Sequence, residues 1–405
     1  MKYCVILITF FIINSNIFPV IAETEGNDTN AVKILPWSQR MAESLMTAYP
    51  QLWKMENRNF PIWSYTYGLV GLSFQQLYLA TNDSKYFEYT KKYIDEIIDS
   101  LGIIRTYRLS AYNIDQINAG KVLFMLYDLT KGEKYKTALD TLRKQLSNQP
   151  RTTAGGYWHK LRYPNQMWLD GVYMGAPFLA QYAKVFNEPA LFDDIANWII
   201  TVEEKTRDAK TGLLYHAWDE SRKQPWADSI TGCSPNFWGR AVGWYAMAIV
   251  DVLDYFPKNH PGYNDLIAVL NRLCEAVVKV QDEKTGLWYQ VLDQKKREGN
   301  YLEGSVSSML TYALLKSSRM GYIGKNYRQA GIKAFMGITK NLITESPEGL
   351  LTISPVCAVA GLGGFPYRDG SYEYYIHEQK RDNDPKATGP FILASLEYEA
   401  AMKKK

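Results

Sequence analysis

Two kinds of helical segment alternate along almost the whole chain, and this alternation restricts the possible folds more than any other feature. One kind is amphipathic: apolar residues recur at spacings of three and four, and charged residues occupy the opposite side. Six segments are of this kind: residues 37–49, 84–100, 134–148, 190–206, 262–282 and 325–342. The other kind is apolar on nearly every side and contains many small residues. It also occurs six times: residues 63–80, 113–130, 167–186, 237–256, 302–318 and 387–402.

A helix that is apolar all round is buried on every side. The alternation therefore predicts an inner ring of helices inside an outer ring. Because a single helix pair cannot bury its own apolar faces, the pairs must pack on one another as repeated units. The predicted fold class is all-α, an (α/α)6 barrel of six helical hairpins.

The loops and the domain boundaries are predicted from shorter patterns. Short strands are expected at 210–218 and 284–292, where KTGLLYHAW and KTGLWYQVL repeat one another with alternating apolar residues. No linker rich in Gly, Ser or Pro interrupts residues 35–402. The sequence therefore predicts a single domain at 37–405, preceded by an N-terminal extension at 23–36.

The first 22 residues have the features of an export signal. They contain one lysine, an apolar run and small residues before the expected cleavage point after Ala22, which is the pattern of a secretory signal peptide. We expect an exported protein, in the periplasm rather than fully secreted, although a signal peptide alone is compatible with both. No later stretch approaches the ~20 apolar residues of a membrane helix, so no membrane span is predicted.

Charge and cysteine content narrow the function classes further. The 46 basic and 42 acidic residues are spread without blocks, unlike the basic stripe of a nucleic-acid-binding protein. The 30 Tyr, 11 Trp and 15 Phe suit sugar faces, although a large core would use them too. Three cysteines remain after signal cleavage, so at least one is free unless it pairs between chains. We predict that they are small buried hydrophobic residues: Cys233, Cys274 and Cys357.

Four of the buried segments carry a charged residue at the same place near their start. Burial of an unpaired charge is unfavourable, so these side chains need partners or a water-lined cavity. The N-termini of the inner helices open on one end of a toroid, where their dipoles favour anions. Two alternatives stay open: the aspartates could be helix N-caps, and the arginine could be a structural partner of the glutamate. The four residues are Asp115, Asp170, Arg240 and Glu303.

The loops before the buried helices supply further candidates. His159, Lys160 and Arg162 precede the helix of Asp170, and His216 precedes the helix of Arg240. Three tryptophans flank the helix starts and could stack on sugar rings or belong to the core: Trp168, Trp238 and Trp244. HExxH, CxxC, a Walker loop, GxGxxG after a strand and GxSxG are all missing from the sequence. We therefore predict no metal, nucleotide or dinucleotide cofactor.

The motifs around these candidates resemble those of glycoside hydrolase family 105. They are N-x-D at 113–115, W-x-D-x-x-x-M-x-x-P-F-L-A at 168–180, W-x-R-x-x-G-W at 238–244 and NDPKxxGPFILA at 383–394. Members of this family are unsaturated rhamnogalacturonyl hydrolases, related to the unsaturated glucuronyl hydrolases of family 88. The resemblance covers residues 37–402 and implies an (α/α)6 barrel with a catalytic domain at 37–405.

The resemblance also implies roles for individual residues. Asp170 matches the general acid/base, and Asp115 matches the second active-site aspartate. The last motif has Ala387-Thr388 where many relatives carry Gly and an apolar residue. The loop at 357–377 keeps the family's DGSYEYY run and is expected to border the pocket. Six residues match positions that line the substrate pocket: His159, Trp168, His216, Trp238, Arg240 and Trp244.

The implied substrate is a pectin (rhamnogalacturonan) oligosaccharide formed by a lyase, with a 4,5-unsaturated galacturonate at its non-reducing end joined to rhamnose. Hydration of the double bond requires Asp170 to be protonated, although a free Asp has a pKa of about 3.9. Burial and an ionised Asp115 would both raise the pKa of Asp170, and Arg240 could pair with the substrate carboxylate. Two alternatives stay open: a glucuronyl hydrolase acting on glycosaminoglycan or arabinogalactan disaccharides, and a non-catalytic sugar-binding toroid. The sequence does not distinguish a monomer from a dimer.

Overall fold

The computed structural model describes residues 35–403. The predicted signal peptide at 1–22 and all but the last two residues of the predicted extension at 23–36 lie outside this range. Export therefore stays a prediction, which the N-terminal residue of the mature protein would check.

The amphipathic segments form the outer ring of helices. In one of them, Tyr86, Tyr93 and Ile94 are buried on one face, while Lys91 and Asp95 pair at 2.6 Å on the other. The apolar stripe thus sets which side packs inward. The outer helices are α1 (Trp37–Ala48), α3 (Ser84–Ile97), α5 (Glu133–Ser147), α7 (Leu191–Thr206), α9 (Tyr263–Lys279) and α11 (Asn326–Asn341).

The apolar segments form the inner ring. Each inner helix packs on the next, and the last packs back on the first, which closes the ring. The predicted (α/α)6 barrel is confirmed. Within residues 35–403, no helix is both long and apolar enough to cross a membrane. The inner helices are α2 (Tyr65–Thr81), α4 (Lys121–Thr130), α6 (Leu169–Val185), α8 (Gly239–Val252), α10 (Gly304–Met320) and α13 (Pro385–Lys403).

One inner segment differs from the prediction of a continuous helix at 113–130. A 3-10 helix at Ile114–Gly120 precedes α4. This 3-10 segment lies where its backbone approaches that of α2 closely. A Cβ added to Gly68 of α2 would be only 2.3 Å from the Cα of Ala119. Three shorter helices complete the set, two 3-10 helices at Leu52–Glu56 and Leu109–Ala111 and the α-helix α12 at Tyr372–His377.

The strands only partly follow the repeated KTG segments. Strand β1 (Gln166–Trp168) pairs antiparallel with β2 (Ala217–Asp219), and β2 shares two residues with the first predicted segment. The second segment, at 284–292, makes only isolated bridges. A second antiparallel pair lies elsewhere, formed by β3 (Ile343–Glu345) and β4 (Leu351–Ile353).

The repeat instead specifies a turn. The Asp208 carboxylate accepts hydrogen bonds from the backbone and hydroxyl of Thr211, both at 2.7 Å, and Asp282 binds Thr285 in the same way. The glycine after each threonine has φ of 76°, which glycine adopts without strain. The similarity between the segments at 210–218 and 284–292 therefore reflects a shared aspartate–threonine–glycine turn rather than a shared strand.

The cysteine prediction is confirmed for the described residues. Cys233, Cys274 and Cys357 are all free and buried. Burial raises the pKa of the Cys274 thiol to about 12, so it stays protonated and behaves as a small apolar side chain.

Candidate active site

Two loop histidines are joined to the starts of inner-ring helices in the same way. The His159 carbonyl accepts a hydrogen bond from Ile114 N, and the His216 carbonyl accepts one from Leu169 N, both at 3.1 Å. Ile114 and Leu169 are the first residues of their helices, and an aspartate follows each. Each imidazole is thereby held beside a carboxylate. The pairs are Asp115 with His159 and Asp170 with His216.

The β1–β2 ladder brings these two pairs together. His159 N donates to the carbonyl of Gln166 at the start of β1 (2.9 Å), and β2 begins directly after His216. The charges of Asp115, Asp170 and His216 all act on the titration of His159. The site therefore consists of two helix starts, which carry Asp115 and Asp170, and of the loops before α6 and α8, which carry His159 and His216.

The first pair contains an ionised carboxylate. His159 Nε2 lies 3.3 Å from Asp115 Oδ1, and Lys160 Nζ lies 2.5 Å from Asp115 Oδ2. Burial disfavours the ionised form of Asp115, but the Lys160 ammonium, together with smaller contributions from His159 and Arg162, lowers the pKa of this carboxyl below its usual value. Burial lowers the pKa of His159 to about 4. At neutral pH the cation beside Asp115 is thus Lys160, and His159 is an uncharged hydrogen-bonding group.

The second pair carries two polar atoms that the protein leaves unsatisfied. Asp170 Oδ2 lies 3.1 Å from His216 Nε2, but the alignment is poor for a hydrogen bond, and neither atom has another hydrogen-bond partner among the described residues. The Asp170 side chain is 13% exposed, whereas His216 is fully buried. Buried polar atoms are normally paired, so these two facing atoms are an exception, and the partly exposed remainder of the Asp170 side chain is the part that a bound molecule can reach.

Tyr375 orients the second pair from behind. Its hydroxyl lies 2.7 Å from His216 Nδ1, and burial raises the pKa of Tyr375 well above its usual value. The hydroxyl therefore keeps its proton, and in the tautomer in which it donates this proton to Nδ1, the ring proton is on Nε2, towards Asp170. Tyr375 belongs to the DGSYEYY run, to which the sequence assigned no contact.

Neither aspartate is a helix N-cap. The Asn113 side chain caps the 3-10 helix by accepting from Asp115 N at 3.2 Å. Trp168 occupies the N-cap position of α6, and no side chain caps that helix. Both carboxylates are therefore available for contacts outside their own helices.

The three tryptophans occupy different environments. Trp168 stacks on His159 with ring centroids 4.5 Å apart and on Tyr163 at 5.1 Å. Trp238 and Trp244 are each only 1% exposed. Trp238 packs on His216 and Tyr375; Trp244 stacks on an inner-ring tyrosine. These two rings support the site from the core and present almost no free face to a sugar.

Arg240 is held inside the protein rather than at the surface of a pocket. It is 1% exposed, and its Nε donates to Ser305 Oγ at 2.7 Å. The Nη atoms donate to the Glu303 carboxylate and to the carbonyls of Cys357 and Ala358. In this arrangement the guanidinium has no open edge for a substrate carboxylate. The structure shows the alternative considered from the sequence, a structural pair of Arg240 with Glu303.

Glu303 completes this pair by capping a helix. Its carboxylate accepts from Val306 N at 2.8 Å, from Cys357 N at 2.9 Å and from the Ser305 hydroxyl at 2.6 Å. The pair therefore ties the start of α10 to the beginning of the loop at 357–377. Among residues 35–403, no cluster of three or more His, Cys, Asp or Glu side chains could hold a metal ion.

The fold and the site together define a class of protein. A helical toroid that gathers protonatable groups and aromatic rings where its inner helices begin is suited to acid–base chemistry on a sugar. The sequence of residues 37–402 matches the family model described as Glycosyl Hydrolase Family 88. The chain therefore belongs to this family of glycoside hydrolases.

Individual relatives agree with this assignment. A solved family 105 glycoside hydrolase from C. acetobutylicum is 47% identical, with a TM-score of 0.87, covering 90% of this chain and 99% of that one. The unsaturated rhamnogalacturonyl hydrolase YesR of Bacillus subtilis is 27% identical over 264 residues, which are 64% of this chain and 72% of YesR. A solved unsaturated glucuronyl hydrolase specific for heparin shares the fold at 16% identity and a TM-score of 0.64, covering 91% of this chain and 99% of that one.

Proposed function

We propose that this glycoside hydrolase releases the 4,5-unsaturated uronic acid from the non-reducing end of rhamnogalacturonan oligosaccharides made by a lyase. Family membership gives the enzyme class, and the similarity to YesR supports rhamnose as the neighbouring sugar. The observation that carries the chemistry is the Asp170–His216 pair, whose facing atoms have no other partner among the described residues.

In the proposed reaction, one carboxyl group acts twice. Protonated Asp170 donates its proton to carbon 4 of the double bond, and the resulting positive charge at carbon 5 is shared with the ring oxygen. Water adds at carbon 5 while the Asp170 carboxylate accepts one of its protons. The hemiketal formed in this way opens, and the bond to the neighbouring sugar breaks. Asp170 is then protonated again, as it was at the start.

The other residues of the site have different roles from Asp170. Asp115 stays ionised because Lys160 is 2.5 Å away, so it can stabilise the positive charge that develops on the sugar ring. Neutral His159 keeps its Nε2 atom beside Asp115, while its buried Nδ1 atom faces Gly171 and has no hydrogen-bond partner among the described residues. Tyr375 orients the His216 ring, whose Nε2 atom lies 3.1 Å from the Asp170 carboxylate. Only Asp170 is required to change its protonation state.

Replacement of Lys160 by Met should move the acidic limb of the kcat/KM profile to higher pH, by about one unit or more. Among the charged groups that lower the pKa of Asp115, Lys160 has the largest effect; without it the pKa rises, and the carboxylate is protonated at a higher pH than in the wild type. The pH dependence of kcat/KM measures this shift. Lys184→Met, on an exposed lysine at the last turn of α6, should leave the limb unchanged. A uniform loss of kcat/KM with an unmoved limb would contradict the proposed role of Lys160.

The substrate is tested by comparing unsaturated disaccharides whose second sugar is rhamnose, a hexosamine or galactose. We expect kcat/KM to be highest for the rhamnose compound, by about tenfold or more, measured as the loss of ultraviolet absorbance of the conjugated double bond. Faster turnover of the hexosamine or galactose compound would favour the glucuronyl hydrolase alternative. Binding of all three without product would favour a non-catalytic sugar-binding toroid.

A further inference from the structure

A cavity lies next to the proposed catalytic site, to which it is connected by a stack of aromatic rings. Its volume is about 570 Å³, and Tyr163 is part of its lining. The Tyr163 ring stacks on Trp168, which in turn stacks on His159 of the first carboxylate–histidine pair. The cavity is thus separated from His159 by only two ring contacts, within the length of an oligosaccharide. Its other side is formed by the segment 363–368.

The lining has the composition of a sugar-binding surface. Phe365 is fully exposed and Tyr367 is half-exposed, and both lie on the cavity wall. A fully exposed phenylalanine at the edge of a cavity is typical of a binding surface rather than of a core. Polar side chains with amide groups also contribute to the lining, among them Gln166 and Gln224. Aromatic faces combined with amide groups suit the apolar face and the hydroxyls of a pyranose.

The cavity also has an excess of positive charge. Arg162 and Arg368 line it, together with one acidic residue, Glu378. Arg368 donates to the carbonyls of Gly363 (2.8 Å) and Leu362 (3.0 Å) and to a tyrosine hydroxyl of the opposite wall (2.8 Å). These bonds hold the segment in shape before any ligand binds. Arg162 is exposed, and its guanidinium lies 4.9 Å from the centroid of the Tyr163 ring.

We propose that this cavity is a subsite for the departing chain and that it binds an acidic sugar, a uronate, through Arg162 and the ring of Phe365. A cavity of this size accommodates about two sugar rings. In a rhamnogalacturonan chain the sugar after rhamnose is again a galacturonate. Its carboxylate would lie in the cavity near Arg162. This inference rests on the proposed function and deepens it, because it makes longer oligosaccharides better substrates than the disaccharide.

The test compares kcat/KM for the unsaturated disaccharide and the corresponding tetrasaccharide. We expect the wild type to favour the tetrasaccharide roughly tenfold, and we expect Phe365→Ala and Arg162→Gln each to remove most of that preference. The ratio of the two substrates is the readout, so any effect on the catalytic groups themselves cancels. Matched controls are Met336→Ala and Lys92→Gln, which alter exposed residues of outer helices and should keep the ratio of the wild type.

Equal kcat/KM for both substrates, or a ratio that the two cavity variants leave unchanged, would overturn the subsite while the disaccharide activity still supported the proposed function. A wild type inactive on both substrates would overturn the two proposals together. A disaccharide with a sulfated rhamnose tests whether the cavity recognises a sulfate group rather than the carboxylate of a uronate. If it is turned over faster than the tetrasaccharide, and if Arg162→Gln abolishes that advantage, the cavity recognises sulfate and the assignment to uronate is wrong.

Discussion

Replacement of Asp170 by Asn should lower kcat by about a thousandfold or more while leaving the protein folded. The amide cannot give a proton to carbon 4 or accept one from water, so both proton transfers of the proposed reaction lose their carrier. Asn has nearly the same size as Asp and can still face His216, so KM is expected to change little. The readout is the rate at which the absorbance of the double bond disappears, and circular dichroism checks the fold.

A matched control is available on the outside of the ring. Asp193 lies on α7, is 74% exposed and has His260 Nε2 at 3.2 Å from its carboxylate, so it reproduces a carboxylate–histidine pair away from the site. Asp193→Asn should keep the turnover of the wild type. If Asp170→Asn retained more than about a tenth of the wild-type kcat, Asp170 could not be the proton donor.

The fold could be predicted because its main determinant is local. The stripe that buries Tyr86, Tyr93 and Ile94 repeats every turn of the same helix, and each inner helix is uniformly apolar over its own length. The strands at 210–218 and 284–292 were predicted less well. A short alternating pattern does not distinguish a strand from a turn closed by an aspartate side chain, as at Asp208 and Asp282.

The candidate site could be predicted only in part. The common position of Asp115 and Asp170 near the starts of inner helices is a pattern within the sequence, and the structure places a histidine beside each of them. Tyr375 could not be found in this way, since it lies 159 residues from His216 along the chain. A contact over that separation depends on closure of the ring.

Replacement of Arg240 by Met should lower the free energy of unfolding by about 3–5 kcal/mol. The guanidinium is fully buried and donates to Ser305, to the Glu303 carboxylate and to two carbonyls of the loop at 357–377. Its removal leaves a buried carboxylate without a counter-charge. Urea denaturation gives the free energy, and kcat and KM measured well below the unfolding transition separate stability from substrate binding.

The double variant Arg240→Met/Glu303→Gln shows whether this loss arises from the uncompensated charge. Because the second substitution replaces the buried carboxylate by a neutral amide, the double variant should recover part of the lost free energy. Arg143→Met is the control, since Arg143 pairs with Glu188 at 2.9 Å where both side chains are partly exposed; the expected loss is about 1 kcal/mol or less. If Arg240→Met kept its stability and raised KM instead, the guanidinium would bind the substrate carboxylate, the possibility that the sequence left open. A large loss of stability with little change in KM would show that Arg240 has a structural role, which is to connect α8 to α10 and to the loop at 357–377.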